Sequence, residues 1–159
     1  MKNRSRYFAT SLIVFLSIGV FAAAGYLLAA ESGPGTMEGQ KAIMEGAKKM
    51  MDGNKMIMDT VAGKGMKDAE FTAAEKMMTD GYNMVTKGES MMTGGTIPEG
   101  KTMVTRGAKM MLDAQKATSA AVEKHGMTQE CTIGLDSCTY GEKKIKEGAL
   151  EWFFGAGGI

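Results

Sequence analysis

From Met37 onward the large apolar residues fall in adjacent pairs spaced about seven positions apart: Ile43/Met44, Met50/Met51, Ile57/Met58, then Met77/Met78, Met84/Val85, Met91/Met92, then Met103/Val104 and Met110/Met111. Seven residues make two turns of α-helix, so each series stacks into one stripe along a helix, and the alternation of a strand is absent. The pattern predicts three helices, in blocks that open at Met37, Phe71 and Val104. Punctuation between the blocks agrees. Ala62-Gly-Lys-Gly65 breaks the first from the second, and Asp68 or Thr72 caps the second. Met92-Thr-Gly-Gly95 stops the second, and Thr96 with Glu99 reads as a capping box around Pro98, so the second and third helices form a hairpin. His125-Gly126 ends the third. Thr139 with Glu142 reads as a further capping box, opening a short helix that ends near Phe154.

With the first residue of each heptad labelled a, the stripe is large at a and g and small at d, where Ala47, Ala74, Gly81, Gly88, Gly107 and Ala114 stand. Small d residues let helix axes approach closely while flexible thioether stems fill the space between them. Gly39, Gly46 and Gly53 recur inside the first block. Each interior glycine disfavours helix by about 0.8–1 kcal/mol relative to alanine, so that block is expected to be the least stable helix. The resulting fold class is all-α, a small antiparallel helical bundle of coiled-coil-like hairpins with Met/Ala/Gly heptad seams behind an N-terminal hydrophobic helix.

That N-terminal segment sets the compartment. Lys2, Arg4 and Arg6 precede an uncharged run from Tyr7 to Ala30, the pattern of a secretory signal peptide and equally of a retained membrane anchor. The expected organisation is a signal or anchor at 1–30, a linker at 31–36, a methionine-rich helical domain at 37–126, and a cysteine loop with a short aromatic helix at 127–159. The protein is thus expected outside the cytoplasm, periplasmic or secreted, or held at the membrane through residues 7–30. Without the three leading cations the formal charge of +1 becomes −2, with no basic run, so nucleic acid is not an expected partner.

Composition changes the picture in one respect: 17 of the 159 residues are methionine. Thioethers are soft ligands that favour Cu(I), and an alternative reading makes this a periplasmic Cu(I)- or Ag(I)-binding protein with Met77, Met84 and Met91 as ligands. Residues of one helix share an ion only at i,i+3 or i,i+4, and no two methionines have that separation, so a site has to assemble between helices. Cys131 and Cys138, the only cysteines, are expected to close a loop as a disulfide in an oxidising compartment; with His125 they supply too few closely spaced ligands for a zinc site. Trp152, Phe153 and Phe154 are consecutive aromatics that either dock on the bundle or meet a partner or membrane surface. There is no Walker loop, dinucleotide fingerprint, zinc-protease or haem motif, and His125 is the only histidine. The sequence therefore reads as a non-catalytic structural or interaction protein of the cell envelope, needing no cofactor and offering helical seams to a partner or a second copy.

Overall fold

A computed structural model describes residues 37–154, and within them the chain is helical apart from the turns. Four helices come in order: α1 (Met37–Gly63), α2 (Ala69–Thr93), α3 (Ile97–Lys124) and α4 (Thr132–Phe154). The expected signal or anchor at 1–30 and the linker at 31–36 lie outside the described residues. None of the described helices is long and apolar enough to cross a membrane.

The three turns are built alike. After α1, Met66 N donates to Val61 O and Gly65 N to Ala62 O; after α2, Thr96 N donates to Met91 O and Gly95 N to Met92 O; after α3, Met127 N donates to Val122 O and Gly126 N to Glu123 O. This is the Schellman arrangement, in which the residue past the helix end takes positive φ. Gly65, Gly95 and Gly126 supply it, with φ of +68°, +92° and +64°. Asp68 caps α2 as expected, its carboxylate accepting from Glu70 N at 2.6 Å. Thr96 does precede α3, with Pro98 in the first turn, but its side chain makes no capping hydrogen bond.

The expected three helices and short tail are corrected to four full helices. The helix at the C-terminal end begins at Thr132, seven residues before the supposed capping box, and the Thr139 hydroxyl instead donates to Leu135 O one turn back at 2.9 Å. A further glycine heptad, Gly134, Gly141 and Gly148, runs through this helix beneath the capping-box pattern.

Those glycines explain how the helices pair. α1 lies antiparallel against α4, and α2 against α3, with glycines face to face: Gly39 with Gly148, Gly46 with Gly141, Gly53 with Gly134, Gly81 with Gly107 and Gly88 with Gly100. A Cβ added to Gly46 would stand 2.6 Å from Gly141 O; one on Gly53 would stand 2.5 Å from Gly134 O, and one on Gly88 2.6 Å from Gly100 O. Backbone meets backbone, a separation that ordinary helix pairs, about 8–10 Å between axes, do not reach. At most of these crossings the residue four positions beyond a glycine packs its side chain over the partner glycine, whereas Gly107 and Gly148 meet the Cβ of Met84 and Ala42, three positions beyond Gly81 and Gly39. Met50 Cγ covers Gly141, Met111 Cγ covers Gly81, Ile57 covers Gly134, Val104 covers Gly88, Ile145 covers Gly46 and Trp152 covers Gly39. Gly39, Gly46 and Gly53 are thus not defects in α1 but its contact surface with α4.

The two pairs join along wider faces of α1 and α3. Ala47, Asn54 and Val61 of α1, and Ala108, Gln115 and Val122 of α3, are buried beside the seam residues, whereas α2 and α4 bury only their seam positions. Inside this layer the Thr118 hydroxyl donates to Asn54 Oδ1 at 3.2 Å, a polar tie between α3 and α1. Ile43, Met50, Met78, Val85, Met111, Ile145 and Trp152 form one core cluster; Ile57, Phe71, Val122, Met127 and both cysteines form a second at the end that holds the α1–α2 and α3–α4 turns.

Candidate functional site

The methionines divide into two populations. Met50, Met78 and Met111 are fully buried in seams, and Met127 is buried near the second cluster. Met77, Met84 and Met91, the residues of the soft-metal reading, lie on one edge of α2; Met77 is 37% exposed and the other two are half-buried. Seven residues along one helix separate neighbours by about 10 Å, so these three do not meet one another. Each precedes a seam residue, Met78, Val85 or Met92. On α3 the same position, before Val104 and Met111, is held by Met103 and Met110, both half-buried. In an antiparallel pair these positions border the same edge of the seam. The register is fixed locally: Met84 Cβ is 2.8 Å from where a Cβ on Gly107 would stand, and Val104 lies against Gly88. Met84 is therefore level with Met103, and Met77 with Met110. The opposite edge, with Tyr82, Ala108 and Gln115, faces the α1/α4 pair. The cross-helix partners Met103 and Met110 emerge from the heptad once the antiparallel register is known; only the α2 edge is legible without it.

Cys131 and Cys138 carry free thiols, which corrects the expected disulfide. Cys131 O accepts from Leu135 N at the first turn of α4, so the two residues are seven apart on helical backbone, some 10 Å, beyond the reach of a disulfide. Both are buried seam residues. The Cys138 thiol donates to Met50 O at 3.5 Å, and burial pushes its pKa up to about 12. Burial also raises that of Cys131, with the Glu130 carboxylate adding to it. Thiols so protonated are poor nucleophiles and poor metal ligands.

At the turn end, His125 Nε2 lies 3.0 Å from Asp68 Oδ2, Lys124 Nζ lies 2.7 Å from Glu70 Oε1, and Lys64 pairs with Glu130. Asp68 titrates below the usual carboxylate range because Glu70 N donates to it, with His125 adding to the effect. Ligand atoms of Asp68, Glu70 and His125 lie within 4.8 Å of one another. Every one of them is already engaged: Asp68 caps α2 and holds His125, whose ring also stacks near Phe71 at 5.6 Å between centroids, while Glu70 holds Lys124. The cluster clasps the two turns together.

Trp152 is 3% exposed, packed over Gly39, with Lys101 Nζ of α3 5.5 Å from its ring centre. Of the two placements open to the aromatic run, this residue is docked on the bundle. The side chains of Phe153 and Phe154 lie outside the described residues. No protein-family model, curated protein or solved structure matches the chain.

Proposed function

We propose that this is a non-catalytic structural or interaction protein of the cell envelope, carried out of the cytoplasm by residues 1–30 and meeting protein partners, or further copies of itself, through helical surfaces. The observation behind this reading is how the interior is used. Among the described residues the buried side chains are apolar apart from Asn54, Gln115 and Thr118, and the buried polar atoms of these side chains have hydrogen-bond partners. The polar clusters serve caps and turns, and the ion pairs lie at the surface. Such pairs contribute about 0–1 kcal/mol each and serve solubility more than chemistry.

The test is a fusion of the full chain to a C-terminal reporter enzyme that is active only outside the cytoplasm, compared with the same fusion lacking residues 1–30. Reporter activity that depends on residues 1–30 is the expected result. A reporter equally inactive in both removes the envelope from the proposal. Sedimentation of the full chain across a concentration range reads the second half: association is expected, and a strictly monomeric chain would leave only a different protein as partner. A second reading, soft-metal binding, rests on the edge of the α2/α3 pair and is compatible with the first.

A further inference from the structure

We propose that the outer edge of the α2/α3 pair is a soft-cation site with two rungs, Met84 with Met103 and Met77 with Met110, each taking one Cu(I) or Ag(I) ion between thioethers of different helices. This goes beyond the structural role and does not depend on it. The two helix pairs are equivalent in geometry. Met84 Cβ stands to Gly107 as Ala42 Cβ stands to Gly148, at 2.8 and 2.9 Å from the respective ideal Cβ positions. The positions that precede the covering residues are Met84 and Met103 in one pair, and Lys49 and Ser137 in the other, where the Ser137 hydroxyl donates to Lys49 O at 3.0 Å. Close glycine packing is therefore achieved in α1/α4 with Ala42, Lys49 and Ser137 along this edge, and the methionine that α1 carries there, the exposed Met56, meets no second methionine because α4 has none. The glycine seam does not call for methionine on both helices, yet α2/α3 carries it on both, at Met77 and Met84 and at Met103 and Met110.

These four side chains are also outside the two buried core clusters, unlike Met44, Met51 and Met92, which pack against them. Thioethers on flexible stems, two per level, three of them half-buried and that of Met77 exposed, offer soft neutral donors to a monovalent d10 cation. No proton has to leave, since a thioether binds in its only state, so binding should persist under acid conditions that protonate histidine and thiolate sites. The rungs are about 10 Å apart, which gives two separate ions, not one shared ion. Met91 continues the row on α2, but its level is closed by the turn, where Thr96 N donates to its carbonyl at 2.9 Å.

The experiment titrates the full chain with Ag(I), read through the methyl carbons of its methionines by NMR, and measures Cu(I) affinity in competition with a chromogenic Cu(I) chelator. Shifts confined to Met77, Met84, Met103 and Met110 are expected. Met84→Leu/Met103→Leu should weaken one of two binding events by about tenfold or more, and adding Met77→Leu/Met110→Leu should abolish both. Met56→Leu, on the equivalent edge of the α1/α4 pair, should leave affinity within about twofold. Leucine conserves volume, and circular dichroism checks that helicity is kept in each variant. No binding by the unaltered chain, or undiminished affinity in the fully helical four-site variant, overturns the proposal.

Discussion

Gly46→Ala is expected to destabilise the protein by roughly 1–3 kcal/mol, although alanine is the better helix former by about 0.8–1 kcal/mol. The sign is decided by what the new methyl meets. It would stand 2.6 Å from Gly141 O, 2.8 Å from Ile145 N and 2.9 Å from Ile145 Cγ1. Two of these are backbone atoms of α4 held by its own helical hydrogen bonds, so the clash is relieved only by moving the helices apart. That in turn opens voids beneath Met50 and Ile145, which fit over the glycines at the present spacing. Gly63→Ala is the internal comparison. Gly63 ends α1, lacks positive φ, and has nothing within 4 Å of its would-be Cβ. There alanine restricts the unfolded chain and should be neutral or stabilising by up to about 1 kcal/mol. Urea unfolding of both variants, followed by circular dichroism, gives the two signs directly.

Trp152→Ala is expected to cost about 3–5 kcal/mol, the range for removing a buried large aromatic side chain. Trp152 closes the end of the bundle opposite the clasped turns. It caps the seam by lying over Gly39, belongs to the larger core cluster, and meets Lys101 of α3 through a cation–π contact. Its loss leaves the first turn of α1 without its cover and separates the α1/α4 pair from the start of α3. Because Trp152 is the only tryptophan, its fluorescence reports the same claim without mutation: blue-shifted emission in the native chain, moving to the red in a single transition with urea. Native emission already at the wavelength of solvated indole would show that the residue is a surface group.

How far each feature is legible in the sequence depends on how it is encoded. The stripes of α2 and α3 and the stops at Gly65, Gly95 and Gly126 are legible because periodicity and turn chemistry are local. Gly81, Gly88 and Gly107 are legible as close-approach positions because they fall at d beside large residues. Gly39, Gly46 and Gly53 look like a cost to α1, since the gain they bring lies on α4, more than eighty residues away in sequence. α4 itself is hidden by its thin apolar row: Cys131, Gly134, Cys138, Gly141, Ile145 and Gly148 have the right spacing but little hydrophobic weight. Cysteines that read as a loop staple are small seam residues, serving where valine or isoleucine serves elsewhere. The edge proposed as the soft-cation site is half visible. Met77, Met84 and Met91 stand on one helix, but Met103 and Met110 come level with Met84 and Met77 only in the antiparallel register.

Opposed glycines set the pairing of α1 with α4 and of α2 with α3, and nuclear Overhauser contacts between glycine Hα protons, in a chain carrying labelled glycine, test this most directly. Cross-peaks joining Gly46 to Gly141, Gly53 to Gly134 and Gly88 to Gly100 are predicted in the folded protein. Glycine Hα protons of α1 that contact α2 or solvent, with no cross-peak to Gly134, Gly141 or Gly148, would contradict the pairing.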